Sequence, residues 1–173
     1  MTQAEGSQEV SDCVLAIDPG PSESAYVLYD GQRPVEFRKL SNEELLYRVG
    51  LTWDAGIVLV IEQVAAMGMA VGAEVFETVF WSGRFAQVWS AKGLKWHRVK
   101  RHEVKMHLCG NMRAKDANIR TSLLDRFGPG KDKAVGKKKT PGPLYGLSGD
   151  CWSALAVAVT YHDKSLTHNP ESE

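Results

Sequence analysis

The chain has 173 residues, 43% of them hydrophobic, and its 21 basic and 21 acidic side chains balance to a formal net charge of zero. This is typical of one globular α/β or α+β domain that needs no disulfides, and the lack of an apolar run near ~18 residues excludes a membrane span. The three cysteines, Cys13, Cys109 and Cys151, have no metal-type spacing and indicate reduced thiols in the cytoplasm.

The first half of the chain predicts three antiparallel strands, a helix, a strand and a long helix. Residues 1–12 are polar and acidic, so we expect a flexible leader rather than a signal or transit peptide. The strands are CVLAID, SAYVLYD and PVEFRKL, with a hairpin turn at Asp30 and Gly31. Ser41 and Glu44 form a capping box, so a helix begins near residue 42.

The segment GIVLVIE predicts a central strand that is buried on both faces. A helix over about 71–91 follows a glycine-rich connection. Its predicted buried face consists of Val75, Phe76, Val79 and Phe80.

The second half predicts a short strand, KWHRVKR, and two helices, HEVKMHLCG and KDANIRTSLLDRFG, each ended by a glycine. Residues 128–146 have three prolines and read as a linker-like loop. The last helix is GDCWSALAVAVTYHD, and the tail after it is polar. We therefore expect an α/β fold with a mixed sheet over residues 13–162 and a flexible tail over 163–173.

Three carboxylates adjoin apolar elements. Asp18 and Glu62 each end an aliphatic strand, and functional groups gather at the carboxyl ends of strands in α/β sheets. If the two strands are neighbours, the carboxylates repel each other unless a cation lies between them, and their oxygens suit Mg²⁺ or Mn²⁺. Asp150 starts the last helix, whose small residues allow it to approach the sheet closely. The sequence thus predicts an acidic triad.

Each of these acids also has a plain structural explanation. An Asp before Pro-Gly is often a turn residue, a strand-end Glu often meets solvent, and Asp150 is a suitable helix N-cap. The joint pattern favours function over these alternatives.

The basic residues are concentrated in one part of the chain. Fourteen of the 21 Lys and Arg, but four of the 21 Asp and Glu, lie between Lys95 and Lys139. Such segregation indicates a region that faces a polyanion, although a solvated basic face without a partner gives the same pattern.

Four segments in this order resemble the RuvC-type Holliday-junction resolvases of the ribonuclease H-like superfamily, in particular small RuvC-like nucleases of phages or prophages. The segments are AIDPGPSESAYVLYD, IVLVIEQV, EVKMHLCGNMRAKDANI and GDCWSALAVAV. The resemblance implies a mixed five-stranded sheet flanked by helices, a homodimer, and hydrolysis that nicks two symmetric strands of a four-way DNA junction, with roles in DNA recombination and repair.

The resemblance also implies a two-metal mechanism with two Mg²⁺ or Mn²⁺ ions. Asp18 matches the first-strand aspartate and Glu62 the central-strand glutamate, while Asp150 and Ser153 fall where the last helix carries an acid or a histidine and then an aspartate. Ser153 departs from that pattern. The basic residues expected to bind DNA phosphates are Arg98, Arg101, Lys105, Lys115, Lys137, Lys138 and Lys139.

Three questions stay open at the level of the sequence. Ala65 stands where some family members carry an aromatic wedge, and Met67 or Met69 is either a replacement wedge or core filler. The aromatic-rich segment EVFETVFWSGRFAQVW either forms the dimer interface or faces the core. The alternative function is a structure-selective DNA-binding or scaffold protein on the same fold, with weak catalytic activity or none.

Overall fold

The computed structural model of the chain describes residues 13–65, 68 and 70–167. The predicted leader at residues 1–12 and the candidate wedge residues Met67 and Met69 lie outside this part. The elements are β1 (Cys13–Asp18), β2 (Glu23–Tyr29), β3 (Pro34–Ser41), α1 (Asn42–Leu51), β4 (Ile57–Gln63), α2 (Ala73–Ala91), β5 (Trp96–Lys100), α3 (Arg101–Cys109), α4 (Asp116–Phe127), α5 (Lys131–Ala134), β6 (Gly136–Lys137), β7 (Thr140–Pro141) and α6 (Cys151–Thr167).

The strands form the mixed five-stranded sheet that the sequence resemblance implied. Its order is β3-β2-β1-β4-β5. The strands β1, β2 and β3 pair antiparallel, whereas β4 is parallel to both β1 and β5. The carboxyl ends of β1 and β4 therefore meet at the same edge of the sheet.

Helices cover both faces of this sheet. On one face α6 packs across β1 and β2 through the fully buried residues Ala154, Ala156 and Ala158, whose small side chains permit the predicted close approach. On the other face α1 and α2 cover Leu15, Ile17, Leu59 and Ile61 of the sheet. Strands β1 and β4 are thus buried on both sides, as their continuous aliphatic sequences predicted.

The predicted buried face of α2 is wrong. Phe76, Val79 and Phe80 are 65%, 53% and 59% exposed, and Val75 is half-buried. The buried positions are Thr78, Phe85, Ala86 and Trp89, mostly in the second half of the helix. Apolar residues occur around most of the helix, so periodicity alone did not identify the stripe that packs on the sheet.

Residues 128–146 are not a linker-like loop. They form α5 and the β6–β7 hairpin, and Ala134 and Leu144 are fully buried in the core. The amide of Leu144 donates a hydrogen bond to the carbonyl of Ala134 at 2.9 Å, which ties the segment after the hairpin to α5. Glycine and proline here shape a compact turn, because a Cβ on Gly136 or Gly142 would lie within 2.3 Å of a backbone oxygen.

Helix α6 continues to Thr167, beyond the end predicted at residue 163. Its last turns are held by ion pairs of Asp163 with Arg126 and of Lys164 with Glu103. Among the helices of the described residues, none is long and apolar enough to cross a lipid bilayer.

Candidate active site

Asp18 and Glu62 lie side by side at the carboxyl ends of β1 and β4. The parallel register pairs Ile17 with Ile61, so the next residues of the two strands are neighbours. Side chains alternate along a strand, and both carboxylates therefore share the face that carries Ala16 and α6. The prediction that these two acids adjoin is confirmed by this register.

The two carboxyl groups are within hydrogen-bonding reach of each other in a largely buried position. Burial, together with the negative charges of Glu62 and Asp150, raises the pKa of Asp18 to about 8. Burial also raises the pKa of Glu62, although Arg101 opposes this effect. Near neutral pH the pair therefore holds a proton or attracts a cation.

Arg101 is the first residue of α3 and reaches into the same site. Its Nη1 lies 3.4 Å from Oε1 of Glu62, and its Nη2 contacts the carboxylate of Asp116 at the start of α4. The Arg101 side chain is 25% exposed. The sequence predicted a phosphate contact for Arg101, but its place beside the acidic pair and the role of Asp116 depend on how α3 and α4 pack, which no local pattern indicated.

Asp150 lies at the rim of the site rather than between the other two acids. It immediately precedes α6, and its side chain is 54% exposed. Its Oδ2 lies 2.8 Å from Nζ of Lys39, a residue of β3. It is close enough to Asp18 for its charge to raise the pKa of that carboxyl. The three predicted acids thus share one region, and Asp150 is paired with a lysine there.

Sequence reasoning missed Lys39. The sheet register pairs Asp18 with Ala25 and Ala25 with Lys39, so Lys39 lies in the same row of the sheet, two strands away from Asp18. This position follows from strand pairing, and no local motif marks it.

A cavity of about 360 Å³ adjoins the acidic pair. Its polar lining consists of Asp18, Glu62, Gln63, Arg101 and Ser153, and Pro19, Val64 and Ala65 contribute apolar surface. Ser153 projects from α6 where the resemblance led us to expect an aspartate. The charged residues of this cavity, which we call the Asp18–Glu62 cavity, are therefore two acids and one arginine.

The donor set fits one hard divalent cation. Mg²⁺ prefers oxygen ligands and is commonly held by one or two carboxylates plus water and substrate phosphate. However, no three His, Cys, Asp or Glu side chains within the described residues are grouped closely enough to form a metal centre. Asp150, whose Oδ2 is paired with Lys39, is not close enough to the other two acids to complete such a group.

The other predicted DNA-binding residues lie on the surface around α3, α4 and the hairpin. Arg98 is exposed on β5 and lines a second cavity of about 210 Å³ that shares Glu62 with the first. Lys105 is half-buried on α3, and Lys115 is exposed before α4. Lys137, Lys138 and Lys139 are exposed in the β6–β7 hairpin.

No family model matches the chain, and no curated protein matches it either. Among the solved structures that resemble it are two of a RuvC, each over 90% of its length. The structure of Thermus thermophilus RuvC is 15% identical, with a TM-score of 0.60 and 96% of that chain covered. T. thermophilus RuvC in complex with a Holliday junction substrate is 14% identical, with a TM-score of 0.63 and 95% covered. At this level of identity the likeness establishes the fold: the chain has a RuvC-like, ribonuclease H-like fold.

Proposed function

We propose that this protein is a metal-dependent endonuclease that cleaves branched DNA, with the four-way junction as its substrate. The proposal depends mainly on one observation, the buried pair Asp18 and Glu62 at adjacent strand ends, in a fold shared with RuvC. A RuvC of this fold has been solved in complex with a Holliday junction substrate, which supports the choice of DNA. A phage or prophage origin stays a prediction.

In this proposal Asp18 and Glu62 hold Mg²⁺ or Mn²⁺, and Asp150 joins them when it leaves Lys39. The bound metal supplies activation of a water molecule and stabilisation of the leaving 3′ oxygen. The rigid parallel strands fix the two carboxylates, so the cation is held without reorganisation of the backbone. Lys39, once released, is available to a DNA phosphate at the rim.

The exposed basic residues bind the sugar-phosphate backbone. Arg98, Lys105, Lys115 and the hairpin lysines 137–139 lie in the segment with the large excess of positive charge. Contacts with phosphates position a duplex without reading its sequence, and such contacts suit a substrate that is recognised by its branched shape.

The exposed apolar face of α2 supports the proposed homodimer. Phe76, Val79 and Phe80 are each more than half exposed and follow one another at helical spacing. Apolar groups of this size on one exposed helix face are typical of an interface. Two chains related by a twofold axis bring two active sites to the two symmetric strands of a junction.

The test is cleavage of a labelled four-way junction with Mg²⁺ or with EDTA. We expect nicking in Mg²⁺ and none in EDTA. We expect Asp18→Asn to lower the single-turnover cleavage rate about a thousandfold or more, because the metal site loses the charge of one ligand. Junction binding by Asp18→Asn should be retained. Asp54→Asn, at an exposed position before β4, is the matched control and should cleave normally.

Cleavage by Asp18→Asn at the wild-type rate contradicts the assignment of Asp18. The second candidate function is a structure-selective DNA-binding protein without catalysis. The Lys39–Asp150 pair and the serine at position 153 favour it, because both reduce the negative charge available to a metal. Retention of the junction without metal, and no nicking with Mg²⁺ or Mn²⁺, identifies this second function.

A further inference from the structure

Arg101 places a fixed positive charge inside the Asp18–Glu62 cavity. The guanidinium is three-quarters buried and lines the same cavity as both acids. It is held from two sides, by Glu62 at 3.4 Å and by Asp116 at the start of α4. A side chain that only binds DNA from the surface does not need to be held in this way.

The cavity has few carboxylates, which is consistent with an arginine inside it. Its lining contains the two carboxylates of Asp18 and Glu62, whereas the α6 residue that faces it is Ser153, which has no charge. Asp150 is directed to Lys39 at the rim. The cavity therefore offers two carboxylates, of which Glu62 is already paired with a guanidinium.

We propose that Arg101 takes the place of a second metal ion, so that the Asp18–Glu62 cavity binds one divalent cation per chain and the guanidinium provides the other positive charge to the DNA phosphate. This inference rests on the proposed nuclease function. A second dication would have to lie close to a partly buried guanidinium, with no carboxylate besides Asp18 and Glu62 in the cavity lining to balance it, and like charges at short range in such a site repel strongly. An arginine is suited to this position because its planar donors match two phosphate oxygens.

A purely structural role makes a different prediction. If Arg101 merely joins the start of α3 to α4 through Asp116, its removal lowers stability and leaves the number of bound ions unchanged. The number of ions therefore separates the two roles, independently of any activity measurement.

The experiment counts Mn²⁺ ions bound to the full-length protein without DNA, from the electron paramagnetic resonance signal of free Mn²⁺. We expect one ion for the wild type and one for Ser153→Asp, because Arg101 pairs with the new carboxylate. The double variant Ser153→Asp with Arg101→Gln should bind two ions, with the second within about tenfold of the first in affinity. Ser153→Asp with Arg113→Gln, which removes an exposed arginine on the α3–α4 loop, is the matched control and should bind one.

Two ions of similar affinity in the wild type, or in Ser153→Asp alone, would overturn the role of Arg101 and leave the nuclease proposal intact. A double variant that is folded by circular dichroism and binds one ion would overturn it as well. No binding of Mn²⁺ to the wild type, together with no nicking of the junction, would instead overturn the proposed function itself.

Discussion

Asp18 is a candidate site residue whose ionised carboxylate lowers the stability of the folded chain. Burial raises its pKa to about 8 from an ordinary value of 3.8. Between about pH 4 and 8 the folded chain binds this proton more tightly than the unfolded chain does, so the free energy of unfolding decreases as the pH rises through this window. A buried acid without its cation therefore lowers stability most at pH 8 and above.

We expect Asp18→Asn to increase the free energy of unfolding at pH 8 by about 2 kcal/mol in EDTA, because the amide carries no charge to be desolvated. The gain should shrink toward pH 4, where the folded wild-type carboxyl is protonated and the unfolded one begins to bind its proton. Urea unfolding between pH 4 and 8 measures this, with the exposed Asp54→Asn as control. A gain that does not change with pH, or a loss at pH 8, would contradict it.

At the scale of elements, the carboxylate of Asp163 links the helices α3, α4 and α6. Asp163 of α6 accepts hydrogen bonds from Arg126 of α4 at 2.7 and 2.6 Å, and it lies 2.7 Å from Nε2 of His107 on α3. Burial alone would raise the pKa of Asp163, but Arg126 and His107 hold it below its usual value. The ionised carboxylate thus stabilises the helices that carry Arg101, Lys105 and Lys115.

We expect Asp163→Asn to lower the free energy of unfolding by about 2 kcal/mol at pH 7, because Arg126 is left without its partner. The folded-state pKa is depressed, so this contribution is present above the ordinary pKa of an aspartate and is lost as the pH falls through the lower folded value. The difference between the variant and the wild type should therefore narrow in acid. Urea unfolding at pH 7 and pH 3 tests it, with Asp125→Asn, an exposed position on α4, as control. If Asp163→Asn and the wild type had equal free energies of unfolding at pH 7, the stabilising role of Asp163 would be contradicted.

The elements that could be predicted from the sequence are those marked by a pattern within one short segment of the chain. Strands β1 and β4 are continuous aliphatic runs, and the start of α1 is set by Ser41, whose hydroxyl accepts a hydrogen bond from the amide of Glu44. The parallel pairing of β1 and β4 then places Asp18 beside Glu62, so the centre of the candidate site was predictable.

The remainder of the site depends on packing between distant segments. Lys39 reaches Asp150 because β3 is the edge strand two positions from β1, and Arg101 reaches Glu62 because α3 begins where β5 ends. The hairpin at residues 136–141 was missed because its strands have two residues each, too short for any alternation to be visible. The buried stripe of α2 was missed because its apolar residues surround the helix.

At the scale of the molecule, a net charge of zero conceals two opposed regions. The basic excess between Lys95 and Lys139 maps to β5, α3, α4 and the hairpin, which follow one another in the chain and adjoin the acidic pair through Arg101. A field of this kind attracts a polyanion toward the site, while the remaining surface repels it. The described residues form one Asp18–Glu62 cavity per chain, however, whereas the proposed substrate, a four-way junction, has two symmetric strands.

We expect the exposed apolar face of α2 to be the interface that brings two chains, and so two sites, together. Replacement of Phe80, which is 59% exposed, by glutamate introduces a charge into the proposed interface and should raise the dimer dissociation constant by about a hundredfold or more. Sedimentation should give about twice the chain mass of 19.1 kDa for the wild type and one chain mass for Phe80→Glu at micromolar concentration. Met112→Glu, at a residue 58% exposed on the α3–α4 loop, is the control and should remain dimeric.

The same variant separates chemistry from assembly. The Phe80 side chain is 59% exposed and belongs to neither buried core cluster, and its ring contacts are with Trp81 and Arg84 on the same helix. The monomer should therefore keep its core and its acidic pair. We expect Phe80→Glu to nick one strand of the junction but to lose the paired nicks that release two linear duplexes, because the second active site is no longer attached. A monomeric wild type that makes paired nicks, or a Phe80→Glu protein that sediments as a dimer, would show that the apolar face of α2 has another purpose.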